Sequence, residues 1–512
     1  MSGFDRLARG AAWNVAGKFV QLGVTMATLV VVARLIGPQA WGVFALTWVS
    51  VGLIEIFATM APIDTLVQRR DVAPGHLNAT LWASLAVGMF GWCGLALAAE
   101  PLAALLRGGP MLAEILPVRA ATLPLGALAV VPVALLMRHI RFKALAAVES
   151  IASIISSAVG IMLAWSGAGV WSLVAMELAR AATTLAAASA VARWHPGLAM
   201  SRHHFTDLLG FNANTWGAWG VMYCDGQLPR ALIARSLGAT AVGLYSLALR
   251  IYEQVVALLV RPAYQVVQTG VARAQDQRDA VWDISITTMR ASAVLSCPLF
   301  LGIGALAPVL VPALFGKEWS GAVPVIQVMM LFAIRSPVAM VQMAIVRGMG
   351  KANWHLGVSI VGVCLTIVLL LASLPFGIVA VAAAMGARGF LLFPLNAMLV
   401  HRLTGLTIRE QAFAGAGAFV SALLMAAATW ATVSWLVLHL PAPIALALAA
   451  AAGALFYWAV LRLFSPRAAQ VVDRILVGLA RRDMGAVRGA LGGGTPHGNP
   501  AGERADHSGT ES

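Results

Sequence analysis

Charge is what this sequence has least of. Only 11% of its 512 residues are charged, 60% are hydrophobic and the mean hydropathy is +0.84. An ordinary soluble domain carries about 25% charged residues. No soluble core needs so much apolar surface, so the composition excludes a soluble enzyme and indicates a polytopic membrane protein. The net charge of +14 follows the predicted topology described below, so a nucleic acid is not an expected partner.

Cysteine is scarce as well, and the four that occur lie far apart inside apolar runs. A disulfide-stapled secreted domain needs a dense cysteine framework, and a zinc or haem site needs CxxC or Cys/His spacing, which is absent here. We therefore predict no metal ligand, no cofactor and no catalytic residue. The cysteines are Cys93, Cys224, Cys297 and Cys364.

Large loops are also lacking between the apolar stretches. Fourteen stretches approach the roughly 20 residues that a helical span needs, which predicts an all-α protein with about 14 transmembrane helices. The longest predicted exterior loop, 100–114, leaves no room for the sizeable domain with which a membrane glycosyltransferase holds its acceptor. The stretches lie near 11–33, 41–62, 78–99, 115–137, 144–165, 169–192, 208–234, 241–261, 285–312, 322–346, 354–374, 377–400, 412–438 and 443–463.

The basic residues predict the orientation of these spans. With the N-terminus in the cytoplasm, 23 of the 35 Lys and Arg fall in cytoplasmic segments and eight fall inside spans. Exterior loops then hold only Arg34, Arg107, Arg235 and Lys317. This bias obeys the positive-inside rule. It predicts a multi-pass membrane protein with both termini in the cytoplasm.

The two halves of the chain resemble each other. Residues 33–46 read ARLIGPQAWGVFAL and residues 234–247 read ARSLGATAVGLYSL, with Gly37/Gly238 and Gly42/Gly243 among the identities at an offset of 201. Six spans separate the two copies, so both have the same orientation, which is the parallel repeat found in many transporters.

The repeat predicts two six-helix bundles followed by two extra C-terminal helices. We place the N-terminal bundle and its connecting loop at 1–207, the second bundle at 208–402 and the extra helices at 403–464. Residues 465–512 begin as a basic amphipathic stretch and become Gly-rich, which is typical of a cytoplasmic surface tail. A cleft between the bundles is the expected substrate site.

Polar side chains form one stripe on the first predicted span. Asn14, Lys18, Gln21 and Thr25 follow each other at steps of four, three and four residues. A helix face that contains a lysine avoids lipid, so this stripe is expected to face a cavity. We take Asn14, Lys18 and Gln21 as candidate substrate-binding residues.

Other ionisable residues inside the spans are expected to line the same cavity. Eight cations face five carboxylates within the predicted spans, and the excess of three positive charges predicts an anionic ligand such as a diphosphate. Two alternatives stay open: Glu177/Arg180 and Arg250/Glu253 are pairs within one helix, or Arg119, Arg230 and Arg290 snorkel to span ends. The further candidates are Glu55, Asp225, Arg250, Glu253, Arg335 and Arg388.

Two segments carry a resemblance to a known family. The opening RGAAWNVAGKFVQLGVTMATLVVVARLIGPQAWGVFAL (9–46) and VGLYSLALRI (242–251) after Asp225 resemble Wzx-type oligosaccharide flippases. These belong to the multidrug/oligosaccharidyl-lipid/polysaccharide exporter superfamily, and the likeness is greatest to the colanic-acid and succinoglycan exporter type. It extends over roughly residues 1–460.

The resemblance implies a function and its partners. Such proteins flip an undecaprenyl-diphosphate-linked oligosaccharide repeat across the inner membrane by alternating access, for exopolysaccharide, capsule or lipopolysaccharide synthesis. A polysaccharide polymerase and the export machinery are candidate partners beside membrane lipids. We hypothesise that Lys18 and Arg250, with Arg335 or Arg388, bind the diphosphate. A proton gradient, a sodium gradient or the membrane potential could drive the cycle.

Three rival functions differ in what they require of the sequence. A multidrug or cation antiporter of the same superfamily needs an acidic lumen, against the cationic excess. A membrane polymerase or glycosyltransferase needs large exterior loops and paired catalytic carboxylates. A packing scaffold needs no charges in its spans.

Overall fold

The computed structural model describes the backbone of residues 3–69, 71–197 and 202–464, and their side chains apart from those of 3–22, 202–216, 218, 352, 353, 355, 356 and 464. Helices make up almost all of these residues, which include no strand, so the predicted all-α class is confirmed. The predicted tail at 465–512 lies outside the described residues. The α-helices are α1 (Gly3–Glu55), α2 (Ala61–Gln68), α3 (Pro74–Leu97), α4 (Ala99–Leu105), α5 (Gly109–Ala120), α6 (Thr122–Arg138), α7 (Phe142–Trp165), α8 (Trp171–Ala192), α9 (Arg202–Val255), α10 (Arg261–Arg273), α11 (Arg278–Phe315), α12 (Ala322–Ala333), α13 (Ser336–Gly348), α14 (Ala352–Ser373), α15 (Ile378–Leu391), α16 (Phe393–Thr404), α17 (Ile408–Phe413), α18 (Ala416–Leu436) and α19 (Ala442–Phe464).

Helices α1 and α9 are each interrupted at a glycine. Gly37 has φ 74° and ψ 170°, and Gly238 has φ 83° and ψ 176°. Positive φ is open to glycine because it has no Cβ, so both copies of the repeat turn at the same place. We call the end of the molecule that carries these two turns the hairpin end.

A second break recurs in both copies. A π-helical turn, Ile56–Met60 after α1 and Val256–Val260 after α9, precedes a short helix. Pro62 and Pro262 are the second residues of those helices, α2 and α10. Because proline cannot donate its backbone hydrogen bond, it favours a local π adjustment in the turn before it.

Two further pairs of residues, 209 and 208 positions apart in the sequence, also have matching structures. Arg138 and Arg347 both lie in the last turn of a helix, α6 and α13. Gly169 and Gly377 both have positive φ just before the next helix begins. The parallel internal repeat predicted from the sequence is therefore visible in the backbone.

Eleven helices of the described residues are long and apolar enough to cross a membrane, or twelve when α12 and α13, bent by 48°, count as one. Two of them, Gly23–Gln68 with 46 residues and Trp219–Arg273 with 55, are about twice the length of one span. The multi-pass architecture is confirmed, whereas fourteen spans, which requires counting both hairpins twice, stays a prediction.

The largest apolar core joins the two copies. It includes Phe44 of α1, Tyr245 of α9 and Trp319 after α11, all at most 4% exposed. The last two long helices attach to the second copy, where the Tyr457 hydroxyl of α19 donates a 2.8 Å hydrogen bond to the Val294 carbonyl of α11. The domain boundaries at 207 and 402 stay predictions.

Candidate substrate site

The hairpin end is packed shut by a symmetric contact. A Cβ on Gly42 would lie 1.8 Å from the Ala239 carbonyl oxygen, and a Cβ on Gly243 would lie 2.0 Å from the Pro38 carbonyl oxygen. These are equivalent positions of the repeat, so each glycine lets the opposite turn approach. The Trp319 indole donates a 3.0 Å hydrogen bond to the Ala33 carbonyl and adds to this closure.

Below this contact a small cavity lies between the two copies. Its empty volume is about 220 Å³, including space open to solvent. We call it the inter-bundle cavity because α1 and α9 both contribute to it. It is lined by Trp41, Trp48, Arg230, Ser246, Arg250 and Glu253.

A larger cavity lies beside it within the first copy. Its empty volume is about 650 Å³, including space open to solvent, and its walls come from α1, α7 and α8. We call it the N-bundle cavity. Trp41, Trp48 and Arg250 line both cavities, so the two meet at these residues. The polar residues on its walls are Thr25, Thr28, Ser153, Ser156, Ser157, Glu177 and Arg180.

Arg250 and Glu253, both predicted from the sequence, therefore lie at the junction or beside it. Arg250 is 12 residues beyond Gly238, about 18 Å along the helix. Because Gly238 lies between two predicted spans, this distance predicts a position near the middle of a bilayer core of about 30 Å. The two side chains form no ion pair within 4.0 Å among the described residues, so the reading of Arg250/Glu253 as a pair within one helix is wrong.

Arg230 is also a member of the site, although snorkelling to a span end was an open alternative for it. It is only 7% exposed, and its guanidinium donates a 2.8 Å hydrogen bond to Gln227 and lies 5.5 Å from the centre of the Trp48 ring. Its Nε has no hydrogen-bond partner among the described residues. Snorkelling is therefore wrong for Arg230, whereas Arg290 is exposed as that reading expects.

Glu55 belongs to a cluster inside the first copy that reaches the N-bundle cavity through Glu177. Arg119, also expected to snorkel, is 3% exposed and pairs with Glu177 across 3.6 Å while donating to the Thr122 hydroxyl. Glu55 lies close enough to interact electrostatically with Arg119 and Glu177. The reading of Glu177/Arg180 as a pair is also wrong, because Glu177 faces a different helix, α5.

Asp225 and Arg388 lie together and line neither cavity. An Arg388 nitrogen lies 2.8 Å from an Asp225 carboxylate oxygen, and the Thr366 hydroxyl donates to the other oxygen at 3.1 Å. Their side chains are 30% and 23% exposed. The three residues join α9, α14 and α15 within the second copy.

Arg335 is held at the break between α12 and α13. Its guanidinium lies 4.0 Å from the centre of the Phe393 ring and donates a 2.9 Å hydrogen bond to Gln342. Gln342 in turn donates to Gln411 at 2.8 Å. Neither Arg335 nor Arg388 lines the two cavities, so the structure does not bring them to Arg250.

Three candidates on the first span lie outside the described side chains: Asn14, Lys18 and Gln21. Their backbone belongs to α1, and Thr25, the next residue of the predicted stripe, lines the N-bundle cavity. Their assignment to the site stays a prediction.

The residues of α7 that line the N-bundle cavity were not predicted from the sequence. Ser153, Ser156 and Ser157 are spaced at i, i+3 and i+4, which places them on one helix face. This spacing was a usable signal, but serine is common in packed membrane helices. Trp48 was not predicted either, because the sequence does not distinguish an aromatic residue that lines a cavity from one that packs in the core.

Comparison with protein families and curated proteins gives consistent matches. A family model described as "Polysaccharide biosynthesis protein" matches residues 31–324. "Succinoglycan biosynthesis transport protein ExoT" of Rhizobium meliloti (strain 1021) is 26% identical over 325 residues, which are 64% of this chain and 66% of the relative. "Lipopolysaccharide biosynthesis protein WzxC" of Escherichia coli (strain K12) is 22% identical over 362 residues, 67% of this chain and 71% of the relative.

Solved structures share the fold. "Lipid II flippase MurJ, inward closed conformation" matches with a TM-score of 0.74 at 11% identity, over 88% of this chain and 98% of that one. An inward-facing multidrug resistance MATE family transporter matches with a TM-score of 0.58 at 16% identity, over 75% of this chain and 96% of that one. At these identities the likeness extends to the fold alone.

Proposed function

Because the chain belongs to the polysaccharide biosynthesis protein family, whose model matches more than half of it, we propose that it flips a lipid-linked oligosaccharide across a membrane. The chain spans about two thirds of the length of the curated relatives it matches, which are named for succinoglycan transport and lipopolysaccharide biosynthesis. It is a multi-pass membrane protein and a transporter, not an enzyme. The proposed cargo is an undecaprenyl-diphosphate-linked repeat unit, carried across a bacterial inner membrane.

The position of Arg250 carries this proposal. It lies near mid-membrane depth, lines both cavities and has no carboxylate within 4.0 Å among the described residues. An uncompensated cation at this depth is costly unless an anion binds there. Arginine matches phosphate oxygens with two parallel hydrogen bonds, so a diphosphate fits this site.

The diphosphate contacts are revised by the geometry. Arg230 shares the inter-bundle cavity with Arg250 and replaces Arg335 and Arg388, whose guanidinium groups are engaged elsewhere. Lys18 stays a candidate. Glu55, Asp225 and Glu253 stay candidates for coupling to a proton or sodium gradient, and the polymerase and export machinery stay predicted partners.

The charge of the cavities disfavours the cation antiporter. Arg180, Arg230 and Arg250 line them, against Glu253 and a Glu177 already paired with Arg119. A cation would meet repulsion in this lining.

A complementation experiment tests the proposal. The gene is deleted and restored as wild type, Arg250→Gln or the matched control Arg235→Gln, which changes an exposed arginine near the hairpin end. Complete lipid-linked repeats are then counted on each face of the membrane. We expect the deletion and Arg250→Gln to accumulate repeats on the cytoplasmic face and to lose surface polysaccharide, and Arg235→Gln to restore both.

Two results would contradict the proposal. If complete repeats reach the outer face normally in the deletion strain, the chain is not their flippase. If Arg250→Gln transports as well as Arg235→Gln, the diphosphate does not depend on Arg250.

A further inference from the structure

The N-bundle cavity is a space open to solvent and lined by polar and aromatic side chains. Its walls carry three serine hydroxyls and the charged groups of Glu177 and Arg180. Trp48 is 11 residues from Gly37, about 16 Å along the helix, and Arg180 is nine residues from the start of α8, about 14 Å. Trp48 and Arg180 are therefore about as far from these points as Arg250 is from Gly238.

Hydroxyl groups on α7 face this cavity with unused hydrogen-bonding capacity. Ser156 donates to the Ser153 carbonyl at 3.1 Å. The hydroxyls of Ser153 and Ser157 line the cavity and have no hydrogen bond to any described residue. A serine hydroxyl both donates and accepts, so this wall matches the hydroxyls of a sugar ring.

Aromatic side chains stand at the junction of the two cavities. Trp41 packs edge-on against Trp319 with ring centres 6.2 Å apart, and this fixes its orientation. Trp48 packs edge-on against Phe44 at 5.6 Å. Rigid indoles offer an apolar surface at low entropic cost, and the apolar face of a sugar ring suits such a surface.

Arg180 gives the N-bundle cavity a preference for an anionic ligand. It is exposed, lines the N-bundle cavity but not the inter-bundle cavity, and has no carboxylate within 4.0 Å among the described residues. Glu177, one turn earlier, is held by Arg119 at 3.6 Å. An arginine at this depth with its nearby carboxylate already engaged is a site for an anion.

The order of groups in a lipid-linked saccharide indicates that Arg180 does not bind the diphosphate. The diphosphate lies between lipid and sugar, so a diphosphate on Arg230 and Arg250 leaves the sugars to extend into a neighbouring space. The N-bundle cavity meets the inter-bundle cavity at Arg250 and is the larger of the two. An anion that reaches Arg180 then belongs to the saccharide.

We infer that the N-bundle cavity is a saccharide subsite in which Arg180 selects a sugar that bears a carboxylate. The inference rests on the proposed function. Ser153 and Ser157 contact the sugar hydroxyls, whereas Arg180 forms a paired hydrogen bond with the carboxylate.

Three lipids with the purified full chain in nanodiscs test this. They are undecaprenyl diphosphate without sugar, and the same lipid carrying a disaccharide that ends in glucose or in glucuronic acid. Because a hydrogen bond to a charged group is stronger than one between neutral groups, we expect wild type to bind the glucuronosyl lipid about tenfold more tightly than the glucosyl lipid, a difference of about 1.4 kcal/mol. Arg180→Gln should remove this preference and leave binding of the sugar-free lipid unchanged.

Matched variants separate the two parts of the site. Arg250→Gln should weaken all three lipids, and a Ser153→Ala/Ser157→Ala double variant should weaken both sugar lipids alone. Arg107→Gln, at an exposed arginine of the same copy, should change nothing.

Two results would overturn the inference. One is equal binding of the glucosyl and glucuronosyl lipids by wild type. The other is an Arg180→Gln variant that loses the sugar-free lipid as Arg250→Gln does, which would place Arg180 on the diphosphate. Binding of none of the three lipids by wild type would instead contradict the proposed function itself.

Discussion

Arg250 and Arg388 look alike in the sequence, since each is a cation inside a predicted apolar span. Arg388 lies 2.8 Å from Asp225, whereas Arg250 has no such partner among the described residues and faces two cavities. At the scale of the residue, the partner decides the role. A buried cation with a carboxylate is compensated within the fold, and one without awaits a ligand.

Removing either partner of the Asp225–Arg388 pair should destabilise the protein more than removing both. Asp225→Asn or Arg388→Gln leaves one charge without its partner in a partly buried place, and we expect a coupling energy of about 1–3 kcal/mol for contacting residues. Thermal unfolding of the purified protein measures this. We expect the double variant to be no less stable than either single variant.

The control for this cycle is Arg235→Gln, which should unfold at the wild-type temperature. Simple addition of the two single effects in the double variant would mean that the pair has no energetic coupling.

The hairpins of α1 and α9 act at the scale of the element. Each turns at a glycine with positive φ, and each presents a second glycine, Gly42 or Gly243, to the other turn. The contact is symmetric because the repeat places the same residues on both sides. It holds the hairpin end shut above the cavities.

Adding a methyl group at this contact should open it. Gly42→Ala would place a Cβ 1.8 Å from the Ala239 carbonyl oxygen, which forces the two turns apart because the neighbour is backbone. A cysteine at the fully buried Val242 reports this, in a chain whose native cysteines are replaced. We expect a membrane-impermeant maleimide to label it in the Gly42→Ala background and not in the wild-type background.

Gly220→Ala is the matched control, because it lies in α9 and its added Cβ meets open space. If Val242→Cys is labelled no more in the Gly42→Ala background than in the wild-type background, the hairpin end accommodates the added methyl group without opening.

At the scale of the whole molecule, the closed hairpin end and the cavities below it fit one state of a transporter that alternates between two. Each state must bind loaded and empty forms with different affinity, or the cycle does not advance. A cargo on Arg250 contacts both copies at once and so can supply that difference. The cycle then requires the hairpin end to separate.

Tying the hairpin end shut should stop transport. We expect a short thiol-cleavable crosslinker between Pro38→Cys and Ala239→Cys, in the chain without native cysteines, to arrest translocation of the lipid-linked repeat. Cleavage of the bridge is the internal control and should restore the rate. Full transport by the bridged protein would mean that cargo leaves by another route.

The sequence by itself determined the class of the protein, its repeat and its family. The class follows from hydropathy and from the positions of the basic residues, which are local properties of the chain. The repeat follows from the matched glycines, which a duplication leaves in the sequence itself. The same reasoning found Arg250 and Glu253, because ionisable groups in spans are rare enough to stand out.

Only the tertiary structure decided which cations are compensated. Arg119 meets Glu177, Arg388 meets Asp225, and Arg335 meets Gln342, and the first two of these pairs join different helices. Arg230 lines the cavity, and neither Glu177/Arg180 nor Arg250/Glu253 forms an ion pair within one helix. The reason is that packing between helices determines which side chains come into contact. Charge and spacing along a chain fix which residues need a partner, but the distance between helices fixes which one they find.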